Sequence, residues 1–205
     1  MNAWWFAPLI GIVYGFAALL GLRCSAAMCE NIVPFQDGPR PGKPPTIALI
    51  VGATIVGAVL ATRGLPAQGL SIFAVLVVSL VACWYSDVRC GIVPDAFTLV
   101  PLVLVLGVAL VERNVVPLVS GVIVFLPFAG AALLSKGLGM GWGDVKLVAL
   151  GAAVLGLQTS VLAFCGACLL AVLIAVVRRR RHEPIAFVPY LAGSIAVALT
   201  FPVFP

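Results

Sequence analysis

The stretch LVALGAAVLGLQTSVLAFCGACLLAVLIAVV, residues 147–177, contains no charged side chain over 31 residues. A single helix of that length would measure about 47 Å at 1.5 Å per residue, whereas the apolar core of a bilayer is about 30 Å thick and needs about 20 residues. The segment GLQTS, residues 156–160, contains the turn-forming residues that permit a break. We therefore predict two membrane-spanning helices here, 144–157 and 159–177.

The composition of the whole chain agrees with a membrane protein. Of its 205 residues, 63% are hydrophobic and 9% are charged, while a soluble domain carries about 25% charged residues. This composition excludes a water-soluble globule and predicts an all-α polytopic membrane protein, with residues 1–205 in a single transmembrane domain surrounded by the lipid bilayer. Nucleic-acid binding has no support. Charges and turn residues divide the chain into about eight predicted transmembrane helices: 3–22, 46–62, 68–86, 95–111, 115–134, 144–157, 159–177 and 186–204.

The basic residues are distributed unevenly between the two faces of this predicted bundle. The loops on one face contain ten of the twelve Lys and Arg residues, and the other face contains only Arg63 and Arg113. Because positively charged loops remain in the cytoplasm, we predict that the ten-charge face is cytoplasmic and that both termini lie outside, in a multi-pass protein of the inner membrane. The first span is expected to be retained rather than cleaved as a signal peptide. Its following loop, 23–45, is rich in proline and is predicted to be extended, irregular chain.

Cysteine and histidine residues show no pattern typical of a metal site. Cys165 and Cys168 form a CxxC pair inside an apolar run, so we interpret them as small helix-packing residues. His182 is the only histidine in the chain, which excludes a His-rich site. We therefore expect no bound metal ion.

Three aspartates adjoin apolar helices on the predicted cytoplasmic face, where ionisable groups are costly and often functional. Asp95 follows Pro94, an arrangement typical of a helix start. Asp87 closes the third span, and a carboxylate at a helix C-terminus is repelled rather than stabilised. Asp144 opens a helix after the segment GMGWG, residues 139–143, so it could act as an N-cap. The three glycines of that segment also permit positive φ angles and close backbone approach.

Two aspartates at one membrane depth, on different helices, suggest an acid/base pair. Two neighbouring carboxyl groups share one proton, because both cannot ionise when they lie a few ångströms apart. One then activates water as a general base, while the other protonates or hydrogen-bonds the scissile carbonyl. Such chemistry requires no cofactor.

Three stretches of the chain resemble motifs of the type IV prepilin peptidases, which are GxGD intramembrane aspartic proteases. Asp87–Asp95 reads DVRCGIVPD and is similar to the first motif, an Asp followed after six residues by Pro-Asp or Pro-Asn. Gly141–Leu147 reads GWGDVKL and is similar to the second motif, GxGDxKL. Pro184–Gly193 reads PIAFVPYLAG and is similar to a C-terminal segment IPFGPYLA, with Ala186 inserted and Val188 in place of its Gly.

The resemblance covers about residues 68–205, which it marks as the catalytic core. It implies an endopeptidase that removes the short basic leader from type IV prepilins or pseudopilins, just after a glycine, at the cytoplasmic membrane face. The partner would be the substrate's helix, and the catalytic pair would be Asp87 and Asp144. Lys146 would position or tune the carboxylate of Asp144. The residues expected to bind substrate or shape the site are Gly141, Gly143, Lys146, Pro94 and Asp95.

Other functions stay open at this point. Larger members of the family carry two CxxC pairs in the first cytoplasmic loop and also methylate the new N-terminus. Here that loop has only Cys24 and Cys29, at a spacing that does not make a zinc site, which favours the shorter, peptidase-only type. Signal-peptide-peptidase and presenilin-type proteases also use GxGD, but with a Tyr-Asp motif, whereas Ser86 precedes Asp87. A small ion-coupled transporter is a further alternative. The sequence leaves the oligomeric state open.

Overall fold

The computed structural model describes residues 3–32, 45–134, 140–177 and 186–201. In these residues a short 3-10 turn, Ala3–Phe6, precedes eight α-helices, and no strand is formed. The all-α class predicted from the sequence is confirmed. The helices are α1 (Ala7–Ile32), α2 (Thr46–Thr62), α3 (Ala67–Cys90), α4 (Ala96–Val111), α5 (Val116–Leu134), α6 (Trp142–Leu155), α7 (Leu157–Val177) and α8 (Val188–Thr200).

Long and short helices alternate along the chain. Within the described residues, four helices are long and apolar enough to cross a membrane, and they are α1, α3, α5 and α7. The helices between and after them have 17, 16, 14 and 13 residues. At 1.5 Å per residue, α6 and α8 measure only about 21 and 20 Å. The fold is therefore a polytopic bundle, and among its short helices α6 has the largest number of buried residues.

The uncharged run at 147–177 is interrupted at a single residue. Gly156 has φ of 76°, in the left-handed region that favours glycine, and separates α6 from α7. Its N–H donates to the carbonyl of Ala152 at 3.0 Å and completes the last turn of α6. The predicted division of this run into two helices is confirmed.

The predicted end of the first helix was wrong. We expected it to end at residue 22 and to lead into an irregular loop at 23–45, but α1 continues to Ile32. Arg23 does not interrupt the helix, and the Ser25 hydroxyl donates to the carbonyl of Ala82 on α3 at 2.9 Å. This contact holds the extra turns of α1 against α3. The rest of that predicted loop, 33–44, lies outside the described residues.

The core consists of two main apolar clusters that share α3. In one, α1 and α2 pack on a face of α3 that carries Val77 and Val81. In the other, α3 contributes Leu76, Leu80 and Cys83 to a cluster with α6, α7 and α8. Helix α6 is apolar around its circumference, as expected of a helix at the centre of a bundle, and nine of its fourteen residues are buried. The residues at the start of α6 are thereby fixed in position by packing on several sides.

Arg63 binds the C-terminal end of α8. Its guanidinium donates to the carbonyls of Leu199 at 3.2 Å and Phe201 at 2.6 Å, and also to that of Thr200. The last carbonyls of a helix have no partner within the helix, and a cation there also opposes the helix dipole. The turn after α2 and the end of α8 are thus held together at the end of the bundle that contains Gly156. We call this the Gly156 end and the opposite one the aspartate end.

Candidate active site

Asp87 lies in the last turn of α3. The helix continues four residues beyond its predicted end at residue 86 and stops where Gly91 adopts φ of 66°. The Gly91 N–H donates to the main-chain carbonyl of Asp87 at 2.9 Å, a common way of ending a helix with a left-handed glycine. Asp87 is therefore held on a rigid helix rather than on the loop that follows.

The carboxylate of Asp87 is bound by the beginning of α8. Its Oδ2 accepts a hydrogen bond from the N–H of Val188 at 3.2 Å, across 101 residues of sequence. Val188 is the first residue of α8, so its amide is one of the free donors at the positive end of a helix. Sequence reasoning did not assign Val188 a role, although a helix start within the third motif was a signal for an anion-binding amide. Val188 stands where the similar segment IPFGPYLA has Gly. Because this hydrogen bond is donated by the main-chain N–H, it does not depend on which side chain occupies the position.

Asp144 is the third residue of α6 rather than an N-cap. The helix begins at Trp142, and the Oδ2 of Asp144 accepts a hydrogen bond from the N–H of Gly141 at 3.2 Å. The carboxylate of Asp144 thus binds the amide of the residue that directly precedes its own helix. Both predicted catalytic side chains are half-buried, and each has one oxygen fixed by a backbone amide.

The structure brings the two aspartates together from different helices. Their carboxylates lie close enough for the charge of Asp144 to act on Asp87. Within the described part of the chain, the Oδ1 atoms of both groups have no hydrogen-bond partner. Each aspartate therefore keeps one free oxygen that can bind a water molecule or carry a proton.

Gly143 permits contact between the first two motifs. A Cβ atom at this position would lie 2.5 Å from the Cβ of Val93, a separation that real Cβ atoms essentially never show. The first turn of α6 therefore packs directly on the segment between Asp87 and Asp95. Of the two properties that the glycines of residues 139–143 permit, the structure uses close approach at Gly143, whereas Gly141 is extended at φ of −76° and Gly143 also lies outside the positive-φ region. Gly139 lies outside the described residues.

Lys146 does not contact Asp144 but pairs with Asp95. Its Nζ lies 2.5 Å from Oδ1 of Asp95, across 51 residues of sequence. Asp95 directly precedes α4 and makes no side-chain hydrogen bond to the free amides of that helix, so its predicted capping role is replaced by the ion pair. Pro94 beside it is buried. The pair therefore joins the start of α4 to the first turns of α6, next to the Gly143–Val93 contact.

Replacing Asp95 by Asn is expected to leave substantial activity. Asp95 is 62% exposed and Lys146 29% exposed, and an exposed ion pair contributes about 0–1 kcal/mol to stability. The measurement is the rate of substrate cleavage by Asp95→Asn, Lys146→Met and the double variant. The double variant should be no worse than the poorer single one, because each change removes the same contact. Complete inactivity of Asp95→Asn at normal membrane levels would assign Asp95 a direct part in the reaction.

A disulfide links α1 to the last residue of α3. Cys29 and Cys90 are bonded with a Cα–Cα distance of 6.2 Å, and both are buried. Cys90 lies three residues after Asp87, so the contact between these two buried side chains places α1 beside the end of α3 that carries Asp87. Cys24 and Cys29 belong to α1 rather than to a loop. Cys165 is an unpaired, exposed residue of α7, so its predicted helix-packing role was wrong.

No cluster with metal-ligand character is found among residues 3–32, 45–134, 140–177 and 186–201. No three Cys, His, Asp or Glu side chains of these segments come together in a way that could hold an ion. Each of the two aspartates accepts a hydrogen bond from a backbone amide.

Residues 74–176 match the type IV leader peptidase family. This range covers half of the chain and contains both aspartates, Gly143 and Lys146. The chain therefore belongs to the type IV leader peptidase family. It is a peptidase, and thus a hydrolase, built on an apolar helical membrane fold. No curated protein and no solved structure matched the chain.

Proposed function

We propose that this protein is an aspartic endopeptidase that removes the short basic leader from a type IV prepilin or pseudopilin. Asp87 and Asp144 form its catalytic pair, and the cleaved bond follows a glycine. The observation that carries the proposal is the convergence of these two half-buried carboxylates from α3 and α6, each oriented by one backbone amide.

The reaction needs one proton shared by the pair. The ionised carboxylate accepts a proton from water, whose oxygen attacks the carbonyl carbon of the scissile peptide bond. The protonated carboxyl group donates its hydrogen bond to the carbonyl oxygen, which gains negative charge as the tetrahedral intermediate forms. Return of a proton to the leaving nitrogen breaks the C–N bond and releases the leader's new carboxyl end. The Val188 and Gly141 amides keep the carboxylates in place throughout.

The lengths of the helices support a recessed position for this chemistry. Helices α6 and α7 pack against each other and meet at Gly156. Since α6 has 14 residues and α7 has 21, the start of α6 falls about 10 Å short of the far end of α7 at 1.5 Å per residue. Asp144 therefore lies below the rim of the bundle, where water must reach it through an opening at the aspartate end.

Cleavage by the purified protein in detergent micelles tests the proposed function. We expect a synthetic prepilin segment, with a basic leader, a glycine and an apolar helix, to be cut once, directly after the glycine. A proton- or ion-coupled transporter would produce no cleavage, and detergent removes the gradient that it would need. The product mass identifies the cut, and the same segment with its glycine replaced by a bulky residue serves as the control. An intact segment after prolonged incubation would refute the function.

We further propose that the aspartate end faces the cytoplasm of the cell that makes the protein. The ten-to-two distribution of basic residues supports this orientation. In a variant lacking the native cysteines, a cysteine at Arg178 should react with an impermeant maleimide only after permeabilisation, and one at Gln68 should react in intact spheroplasts. Cytoplasmic thiols are kept reduced, so Cys29 and Cys90 of the native chain are expected as two thiols in growing cells. Labelling of Arg178→Cys in intact spheroplasts would show that the aspartate end faces outward, and would contradict the proposed orientation.

A further inference from the structure

An apolar cleft runs along the surface of the bundle between α7 and α8. Its volume is about 1040 Å³, and Trp84 of α3 contributes to its lining. The α7 wall extends from Leu157 to Leu170 and the α8 wall from Pro189 to Phe201. At 1.5 Å per residue these walls are about 20 and 18 Å long, so the cleft follows roughly two thirds of an apolar bilayer core of about 30 Å.

Small residues line the middle of this cleft. Gly166 and Ala163 lie on α7 and Gly193 on α8. Beside Gly166 there is open space, and a Cβ atom at Gly193 would reach only ordinary contact with Trp84, at 3.7 Å. Elsewhere the exposed surface of α7 carries large residues such as Leu169 and Leu173. Small residues at a membrane-embedded surface allow another helix to approach closely, so the cleft is suited to a helix.

One end of the cleft adjoins residues next to Asp87 and next to the amide that binds it. Trp84, which lines the cleft, lies one helical turn before Asp87 on α3. On α8, Pro189 and Tyr190 line the same end and directly follow Val188, whose amide binds Asp87. A helix lying in the cleft with its N-terminus at Tyr190 would therefore place the residues just before that helix beside the two carboxylates.

We propose that this cleft binds the apolar helix of the substrate, with the helix running from the aspartate end towards Phe201. The inference rests on the proposed function and adds the site and direction of binding. The occupant is a single-span membrane polypeptide whose scissile bond lies immediately N-terminal to its apolar helix. Packing of that helix on Gly166 and Gly193 sets how far the chain projects towards Asp87 and Asp144, and hence which peptide bond is cut.

Photocross-linking tests the occupant. Val197 faces the cleft and is 56% exposed, whereas Val172 is 61% exposed on α7 and does not line the cleft. We expect full-length protein with benzoylphenylalanine at Val197 to cross-link the apolar helix of a prepilin segment, and the same group at Val172 to give no such product. Adducts found only with lipid, or only with a second copy of the chain, would overturn the proposal.

A blocking substitution gives an independent test. Gly166→Leu fills the cleft, while Gly107→Leu places the same side chain in open space on the exposed surface of α4. For a segment that includes the apolar helix, we expect Gly166→Leu to raise KM about tenfold with kcat retained, the signature of lost substrate binding, and Gly107→Leu to match the wild type. If the wild type cleaves the segment and Gly166→Leu has an unchanged KM, the proposed binding site is contradicted but the proposed function is upheld. Failure of the wild type to cleave would refute both.

Discussion

Replacing either Asp87 or Asp144 by Asn is expected to abolish leader removal. Asparagine keeps the shape of the side chain and can still accept the hydrogen bond from Val188 or Gly141. It cannot take a proton from water or carry the shared proton, so the acid/base contribution is lost, which is worth about 10²- to 10⁴-fold in rate. In the proposed mechanism both residues serve one proton-sharing unit, so the double variant should be no worse than either single one.

The measurement is the change in mobility or mass of a prepilin co-expressed with each variant. Membrane levels of every variant must be compared, so that misfolding is not mistaken for lost chemistry. Asp95→Asn is the matched control, since it makes the same chemical change at a carboxylate of the same motif that pairs with Lys146 instead. If Asp87→Asn cleaves normally and Asp95→Asn is inactive, Asp87 is the wrong partner for Asp144. Activity in both Asp87→Asn and Asp144→Asn would refute an aspartic mechanism.

Replacing Gly143 by Ala is expected to reduce cleavage by about a hundredfold, because a displacement of about 1 Å at a catalytic group can cost that much. The added Cβ would lie 2.5 Å from the Cβ of Val93. Val93 belongs to the segment that follows Asp87, and Gly143 directly precedes Asp144. Relief of the clash must therefore move one catalytic carboxylate relative to the other, even if the bundle itself stays folded.

A second-site change distinguishes this explanation from general destabilisation. Val93→Gly removes the clashing Cβ atom, so the double variant Gly143→Ala/Val93→Gly should recover part of the lost rate. Val93→Ala keeps that atom and should not restore activity. Gly107→Ala on α4 is the control, because nothing lies within 4 Å of the added atom. Wild-type cleavage by Gly143→Ala would show that the two motifs do not need this close contact.

The helical class and most helix boundaries could be predicted from the sequence. A bilayer requires long uncharged segments with internally satisfied backbone groups, so apolar runs and their interruptions reveal the helices directly. The second predicted span, 46–62, coincides with α2, and the break near Gly156 is where the structure has it. The two catalytic candidates also followed from the sequence, because a carboxylate beside an apolar helix is costly and rare.

Only the tertiary structure decided which groups meet. The Val188 amide reaches Asp87 across 101 residues, Lys146 reaches Asp95 across 51, and Ser25 holds the end of α1 on α3 across 57. The hydropathy of a segment depends only on its own residues, so membrane helices can be predicted one at a time. The partner of a side chain depends on how all the helices pack. That packing is determined by contacts between residues far apart in the sequence, such as the contact of Gly143 with Val93. For this reason the sequence could propose Asp87 and Asp144 as a catalytic pair, which stays a prediction, but could not show that the ion-pair partner of Lys146 is Asp95 and not Asp144.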